Sequence, residues 1–152
     1  MKHLSYAMAL SKSQRFCSYQ ERCVYEIRLK LKDWGIGEQD ASKIVLELIK
    51  ENYLNDERFA RIYTSGKFRI KRWGKIKISR ELSKRQIDDS FIRSAINEID
   101  QDEYLKLLEE LLRKKSKEIK TDDTFIFNNK LAAYAVSHGY ETDLVWKTIN
   151  AI

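Results

Sequence analysis

Between Arg58 and Arg85 the chain carries Arg58, Arg61, Lys67, Arg69, Lys71, Arg72, Lys75, Lys77, Arg80, Lys84 and Arg85 against a single acid, Glu81. That is a local charge of +10 in a chain whose total is +6, so everything outside the block sums to −4. Cationic side chains without interspersed carboxylates create a field that steers and holds a polyanion or an acidic protein groove. A surface shaped only by solubility mixes both signs, because a block of one sign repels itself within the fold. The block is therefore read as a binding surface. Phe68 and Trp73 lie inside it and could stack on bases, but both also fit helical packing, and Trp73 is assigned to the core.

Other side chains capable of chemistry are sparse. Cys17 and Cys23 are the only cysteines, and six residues apart on a helix they would face different ways, so they read as structural thiols of a reducing compartment. The two histidines, His3 and His138, have no spacing to either cysteine that suggests a zinc site. Phosphate-loop, HExxH, dinucleotide-binding and GxSxG patterns are all lacking, and Gly74-Lys75 has neither the upstream glycine nor the following hydroxyl of a phosphate loop. The carboxylate pairs Asp88-Asp89 and Asp122-Asp123 stand where helices should begin, which makes capping their expected role. No catalytic residue, metal, cofactor or small-molecule substrate is expected. Ser5 and Tyr6 interrupt the apolar stretch after Lys2, so neither a signal peptide nor a membrane span is expected, and a cytoplasmic protein is.

The elements that must carry this surface are helical. The chain has no proline, five glycines and 34% charged residues, a composition poor in the punctuation of sheets and hairpins. Val24, Ile27, Leu31 and Trp34 share one helical face that ends at Gly35, and Ala41, Ile44, Val45, Leu48 and Ile49 form the next. Asn55 is predicted to cap a third helix, with Asp56 and Glu57 at its positive end and a core face of Phe59, Ile62, Tyr63, Ile70 and Trp73. After Gly74, Ile78 and Leu82 mark a short helix, and Asp88 opens a run of Phe91, Ile92, Ala95, Ile96 and Ile99. A leucine-rich helix with Leu105, Leu108, Leu111 and Leu112 is predicted from Asp102 to about Lys120, acidic early and basic late as the helix dipole prefers. Thr121 is the expected cap of a helix carrying Phe127, Leu131, Tyr134 and Ala135 up to Gly139, and Leu144, Val145, Ile149 and Ile152 belong to the last.

These helices repeat. Leu82, Ile87, Phe91, Ile92, Ile96 and Ile99 match Ala135, Tyr140, Leu144, Val145, Ile149 and Ile152 at identical spacing. Leu31, Ile36, Asp40, Ala41, Val45 and Leu48 fit the same frame with one polar mismatch. The expected architecture is all-α: tandem three-helix, helix-turn-helix-like repeats over residues 1–53 with an N-terminal extension, 54–100, the basic unit, and 101–152. Units this small bury too little apolar surface alone, so they should stack into an elongated, curved chain.

The run Tyr53-Leu54-Asn55-Asp56-Glu57-Arg58-Phe59-Ala60, followed by Arg72-Trp73-Gly74 and Ile78 to Leu82, resembles the central segment of the RecX regulatory proteins. Glu26, Leu29 to Leu31 and Trp34-Gly35-Ile36 upstream, and His138-Gly139-Tyr140 before Leu144-Val145, extend the resemblance from about Ser18 onward. Asn55, Gln86 and His138 depart from the usual aspartate, glycine and arginine. The resemblance implies tandem three-helix units and binding within the groove of RecA filaments on DNA. It further implies lowered ATP hydrolysis, strand exchange and filament extension, hence negative control of recombination, DNA repair and the SOS response.

The rival reading is a helix-turn-helix regulator that acts through non-specific contacts to single- or double-stranded DNA. Its candidate recognition helix, Asp88 to Ile99, holds one base, Arg93, among Asp88, Asp89 and Glu98, a poor composition for entering a major groove. A helical scaffold for an unrelated acidic protein and an enzyme of unrecognised type are the remaining alternatives.

Overall fold

The structure is a computed structural model that describes residues 4–152; Lys2 and His3 lie outside the described residues. These residues form nine helices: α1 (Tyr6–Tyr19), α2 (Val24–Asp33), α3 (Glu38–Lys50), α4 (Asp56–Arg69), α5 (Lys75–Lys84), α6 (Asp89–Asn97), α7 (Gln101–Ser116), α8 (Thr124–Ser137) and α9 (Thr142–Ala151). Each successive trio packs on itself, α1 to α3, α4 to α6 and α7 to α9.

Local chemistry sets the starts. Asn55 accepts the Arg58 N–H at 2.9 Å and Asp88 accepts that of Ser90 at 2.9 Å, as their positions suggested. Thr121 is not the cap of α8: Asp123 accepts the Ile126 N–H, and the Thr121 hydroxyl accepts the N–H of Asp123. An ionised carboxylate suits the free first-turn N–H groups better than a hydroxyl does. Apolar periodicity does not mark α1, since its buried face is built from small side chains, Ala9, Ser13 and Cys17.

The repeat register has a definite cause in the second helix of each trio. Ile36, Ile87 and Tyr140 donate their N–H groups to the carbonyls of Leu31, Leu82 and Ala135, and the residue between is left-handed: Gly35 at φ 77°, Gln86 at φ 56° and Gly139 at φ 97°. This is a Schellman ending, in which the residue after the left-handed position packs back on the last turn. The apolar pairs aligned in the sequence are the two sides of that contact.

The core is divided. Ala9, Ile27, Leu31, Ile44 and Leu48 of the first trio make one cluster with Leu54 of the segment before α4. A second runs unbroken from Phe59, Phe68, Ile78 and Leu82 to Tyr104, Leu108, Leu131, Tyr140 and Val145, so the second and third trios share a core. The exposed surface is 9811 Å², against about 8,000 Å² for a compact chain of this mass, so the units do not close into one compact globule.

Four side chains assigned to apolar core faces are exposed: Ile49 and Ile152, at the ends of α3 and α9, and two in or beside α4. Ile62 is 51% exposed and Ile70 is 78% exposed, because α4 stops at Arg69 and its inner face is Phe59, Ala60, Thr64 and Phe68. Trp73 is half-buried against the shared core. Cys17 and Cys23 are both buried and free, but they do not share a helix: Cys17 lies in the last turn of α1 and Cys23 is the N-cap of α2. Burial pushes their thiols up to about 11 and about 12, which fits structural rather than reactive roles.

Candidate functional site

The eleven cations of the basic block fall into four groups. Arg58 is a strut between the first two trios: its Nε meets Glu21 at 2.7 Å and its Nη atoms reach the Asn52 side chain and carbonyl at 3.1 and 3.2 Å. Beside it, Asp56 accepts the Val24 N–H across the same joint at 2.9 Å. Burial holds the Asp56 carboxyl above its ordinary value, against the opposing pull of that hydrogen bond.

A second group fans around aromatic rings. Phe59, Tyr63 and Trp73 form a ladder with centroid spacings of 5.5 and 6.4 Å. Lys67 lies 4.9 Å and Lys77 4.5 Å from the Trp73 ring centre, and Arg85 lies 5.0 Å from that of Tyr63. Arg85 also meets Glu26 at 3.9 Å and Glu81 at 3.4 Å, and Lys84 meets Glu81 at 3.3 Å. Glu81, the lone acid of the block, thus answers two of its cations. Tyr63, Lys67 and Arg85 line a groove of about 310 Å³ between the first and second trios. Rings already faced by cations leave little open surface for a base, so stacking by Trp73 finds no support here.

A third group, Arg69, Arg72 and Lys75, points toward the third trio. Arg69 meets Glu103 at 3.3 Å, Arg72 meets Glu110 at 2.9 Å, and Lys75 reaches Gln101 at 3.1 Å and the Tyr104 ring at 4.6 Å. Arg61, Lys71 and Arg80 make up the fourth: they are exposed and form no ion pair or side-chain hydrogen bond among the described residues. These three are the cations most available to a partner, since nothing in the chain must be displaced to reach them.

Two separated sequence signatures turn out to be one joint. The N–H of Gly74 donates to the His138 carbonyl at 2.7 Å and that of Ile76 to the Gly139 carbonyl at 3.0 Å, so Arg72-Trp73-Gly74 and His138-Gly139-Tyr140 meet backbone to backbone. Beneath them Phe68, Tyr104 and Tyr140 stack with centroid spacings of 5.8 and 5.0 Å. The Tyr104 hydroxyl accepts the Lys75 N–H at 3.0 Å and donates to Glu141. Burial raises both phenols, Tyr140 to about 12, and keeps them neutral.

Sequence reasoning missed Lys114 and Lys115. Read as cations complementing the end of α7, they lie with Lys71 and Arg72 along a cleft of about 380 Å³. No local signal marks this, because the two pairs are brought together only by the joint. Among the described residues no group of three or more His, Cys, Asp or Glu is placed to hold a metal, and no helix is long and apolar enough to cross a membrane.

Profiles of the RecX first, second and third three-helix domains match residues 9–48, 55–96 and 101–149. The chain belongs to the RecX family. A "Regulatory protein RecX" of Bacillus thuringiensis (strain Al Hakam) is 28% identical over 141 residues, which is 93% of this chain and 51% of that protein. One from Lactobacillus johnsonii is 31% identical over 98 residues, covering 64% of this chain and 36% of the relative. The chain thus spans about half or less of the length of these RecX relatives. The fold is similar to a crystal structure of RecX from Lactobacillus salivarius, with a TM-score of 0.85 at 23% identity over 96% of this chain and 95% of that one. A second RecX crystal structure aligns with a TM-score of 0.83 at 19% identity, over 95% and 73% of the two chains. The regulatory designation of the relatives accords with the expectation of a non-enzymatic protein.

Proposed function

We propose that this RecX chain binds the RecA recombinase filament in the cytoplasm and restrains it, lowering ATP hydrolysis, strand exchange and filament extension and so damping recombination and the SOS response. Family membership supports the partner. The observation that carries the mode of binding is the set of exposed, unpaired cations Arg61, Lys71 and Arg80 on the basic second unit. Three units in a line let several weak contacts act together on neighbouring protomers, with DNA in the filament as an accessory contact.

The independent DNA-binding reading is weaker. Helix α6 and its flanks offer Arg93 to a groove beside exposed Asp88, Asp89 and Glu98. The deciding experiment is the ATPase of RecA on single-stranded DNA, with this protein titrated well below the DNA concentration. Loss of turnover at substoichiometric protein, without DNA sequestration, is the expected result. Unchanged turnover beside tight, salt-sensitive binding to free DNA would overturn it in favour of the DNA-binding reading.

A further inference from the structure

The cleft between the second and third units shares Lys71 with the filament reading and adds features that this reading does not use. Its walls hold Lys71 and Arg72 from the turn after α4, Lys114 and Lys115 from the end of α7, and Tyr134 and His138 from α8. Glu110 and Glu118 are the acids of the cleft, and each is taken: Glu110 by Arg72 at 2.9 Å and Glu118 by Lys115 at 3.2 Å. Lys71 and Lys114 are exposed and make no ion pair or side-chain hydrogen bond among the described residues. The Arg72 guanidinium uses one Nη on Glu110 and keeps its other N–H donors.

The rest of the lining is fixed in place. Lys115 lies 4.6 Å from the Tyr134 ring centre, and the His138 ring lies 4.4 Å from it. The Nδ1 of His138 faces the Tyr134 carbonyl at 3.1 Å, where that nitrogen can act only as a donor. Arg72 itself is left-handed at φ 62°, a conformation that a non-glycine side chain adopts only when its surroundings demand it. Trp73 supplies that demand by donating its N–H back to the Lys67 carbonyl at 3.1 Å.

We propose that this cleft is a phosphate-binding site, in which Lys71 and Lys114 supply the charge and Arg72 a directional donor, and that it is assembled by the joint between the two units. Phosphate oxygens match this donor set better than carboxylate does, because three or more oxygens can be shared between two ammonium groups and a guanidinium. The tyrosine ring is already occupied by Lys115 and His138, so recognition is of the phosphate and not of a base. The inference goes beyond the filament reading and does not depend on it. A phosphate of this kind belongs either to a small compound, such as a nucleotide, or to the backbone of a nucleic-acid strand.

The test is NMR titration of the full chain with inorganic pyrophosphate and, separately, with a short oligothymidylate, following the His138 imidazole after a His3→Gln change removes the other histidine. Perturbation by pyrophosphate alone assigns a small phosphate compound; perturbation by the oligonucleotide, with or without pyrophosphate, assigns the strand backbone. The Lys71→Ala/Lys114→Ala variant is expected to weaken binding about tenfold or more through loss of two charge-assisted contacts. The Lys43→Ala/Lys50→Ala variant, with the same loss of charge at exposed positions of α3 outside the cleft, should change it less than about twofold. No response to either ligand, or equal weakening by both variants, overturns the site.

Discussion

The backbone of Gly74 rests on that of Gly139, so closely that neither position has room for a side chain. A Cβ on Gly74 would overlap the Gly139 carbonyl and the Tyr140 nitrogen, and one on Gly139 would overlap Lys77. Gly139 also sits at φ +97°, where an L side chain is strained whatever the space. The joint between the second and third units therefore includes a close backbone contact that only the absence of side chains permits.

Gly139→Ala is accordingly expected to cost about 2–4 kcal/mol, the sum of overpacking and left-handed strain. Gly66 provides the contrast: it lies inside α4 with open space around its Cβ position. Gly66→Ala should stabilise by about 0.5–1 kcal/mol through helix propensity and a less flexible unfolded chain. Urea denaturation of the two variants measures both; a Gly139→Ala protein as stable as the parent would mean that the joint opens without consequence.

The stacked tyrosines should respond in opposite ways to loss of their hydroxyls. That of Tyr104 accepts the Lys75 N–H and donates to Glu141, whereas that of Tyr140 is buried with no hydrogen-bond partner among the described residues. Tyr104→Phe is expected to destabilise by about 1.5–3 kcal/mol, because it strips a carboxylate and a backbone N–H of their partner. Tyr140→Phe removes an unsatisfied polar group and should be neutral or stabilising by about 1 kcal/mol. Thermal melts of the two single variants decide the matter, and equal losses would contradict the assigned hydrogen bonds.

These relationships mark the limit of what the sequence makes legible. Helix starts at Asn55 and Asp88 follow from short-range chemistry, and the repeat of Leu31-Ile36, Leu82-Ile87 and Ala135-Tyr140 from a local turn, so both could be read in one dimension. Gln86 shows how strongly that turn is imposed, since it is left-handed without glycine. Ile62 lies off the inner face of α4, which falls on Phe59, Ala60, Thr64 and Phe68, and Ile70 lies beyond the end of that helix at Arg69. The charge block was visible as composition, but composition cannot separate Arg58, pinned by Glu21, from Arg61, which has no such partner. The meeting of Arg72-Trp73-Gly74 with His138-Gly139-Tyr140 depends on tertiary packing alone.

Asp56 should give the joint between the first and second units a recognisable pH signature. Burial raises its folded pKa above the ordinary 3.8, so the folded chain takes up this proton more readily than the unfolded one does. Its stabilising contribution is then complete below about 3.8 and is lost as pH rises through the higher folded value. Asp56→Asn keeps an oxygen for the Val24 N–H without the buried charge. It should flatten the stability profile just above the ordinary carboxylate range and leave neutral-pH stability equal or higher. Denaturant midpoints collected across pH 3–7 check this; a neutral-pH loss as large as that of Asp56→Ala would show that the charge itself holds the joint.

Charge reversal can separate binding from architecture within the basic block. Reversing Arg69, Lys71, Arg72 and Lys75 together would put new carboxylates beside Glu103 and Glu110, so lost function in that protein could come from a sprung joint. Arg61, Lys71 and Arg80 have no such partners among the described residues, and surface changes away from structured contacts usually stay within about 0.5 kcal/mol. The Arg61→Glu/Lys71→Glu/Arg80→Glu protein is therefore expected to keep its helicity and denaturation midpoint while losing most of the RecA ATPase inhibition proposed for the parent. Its residual binding should also depend less steeply on salt, because fewer counterions are exchanged when it binds. Parental inhibition in a folded triple variant would move the binding surface away from these cations, toward the aromatic ladder of Phe59, Tyr63 and Trp73 or to another unit.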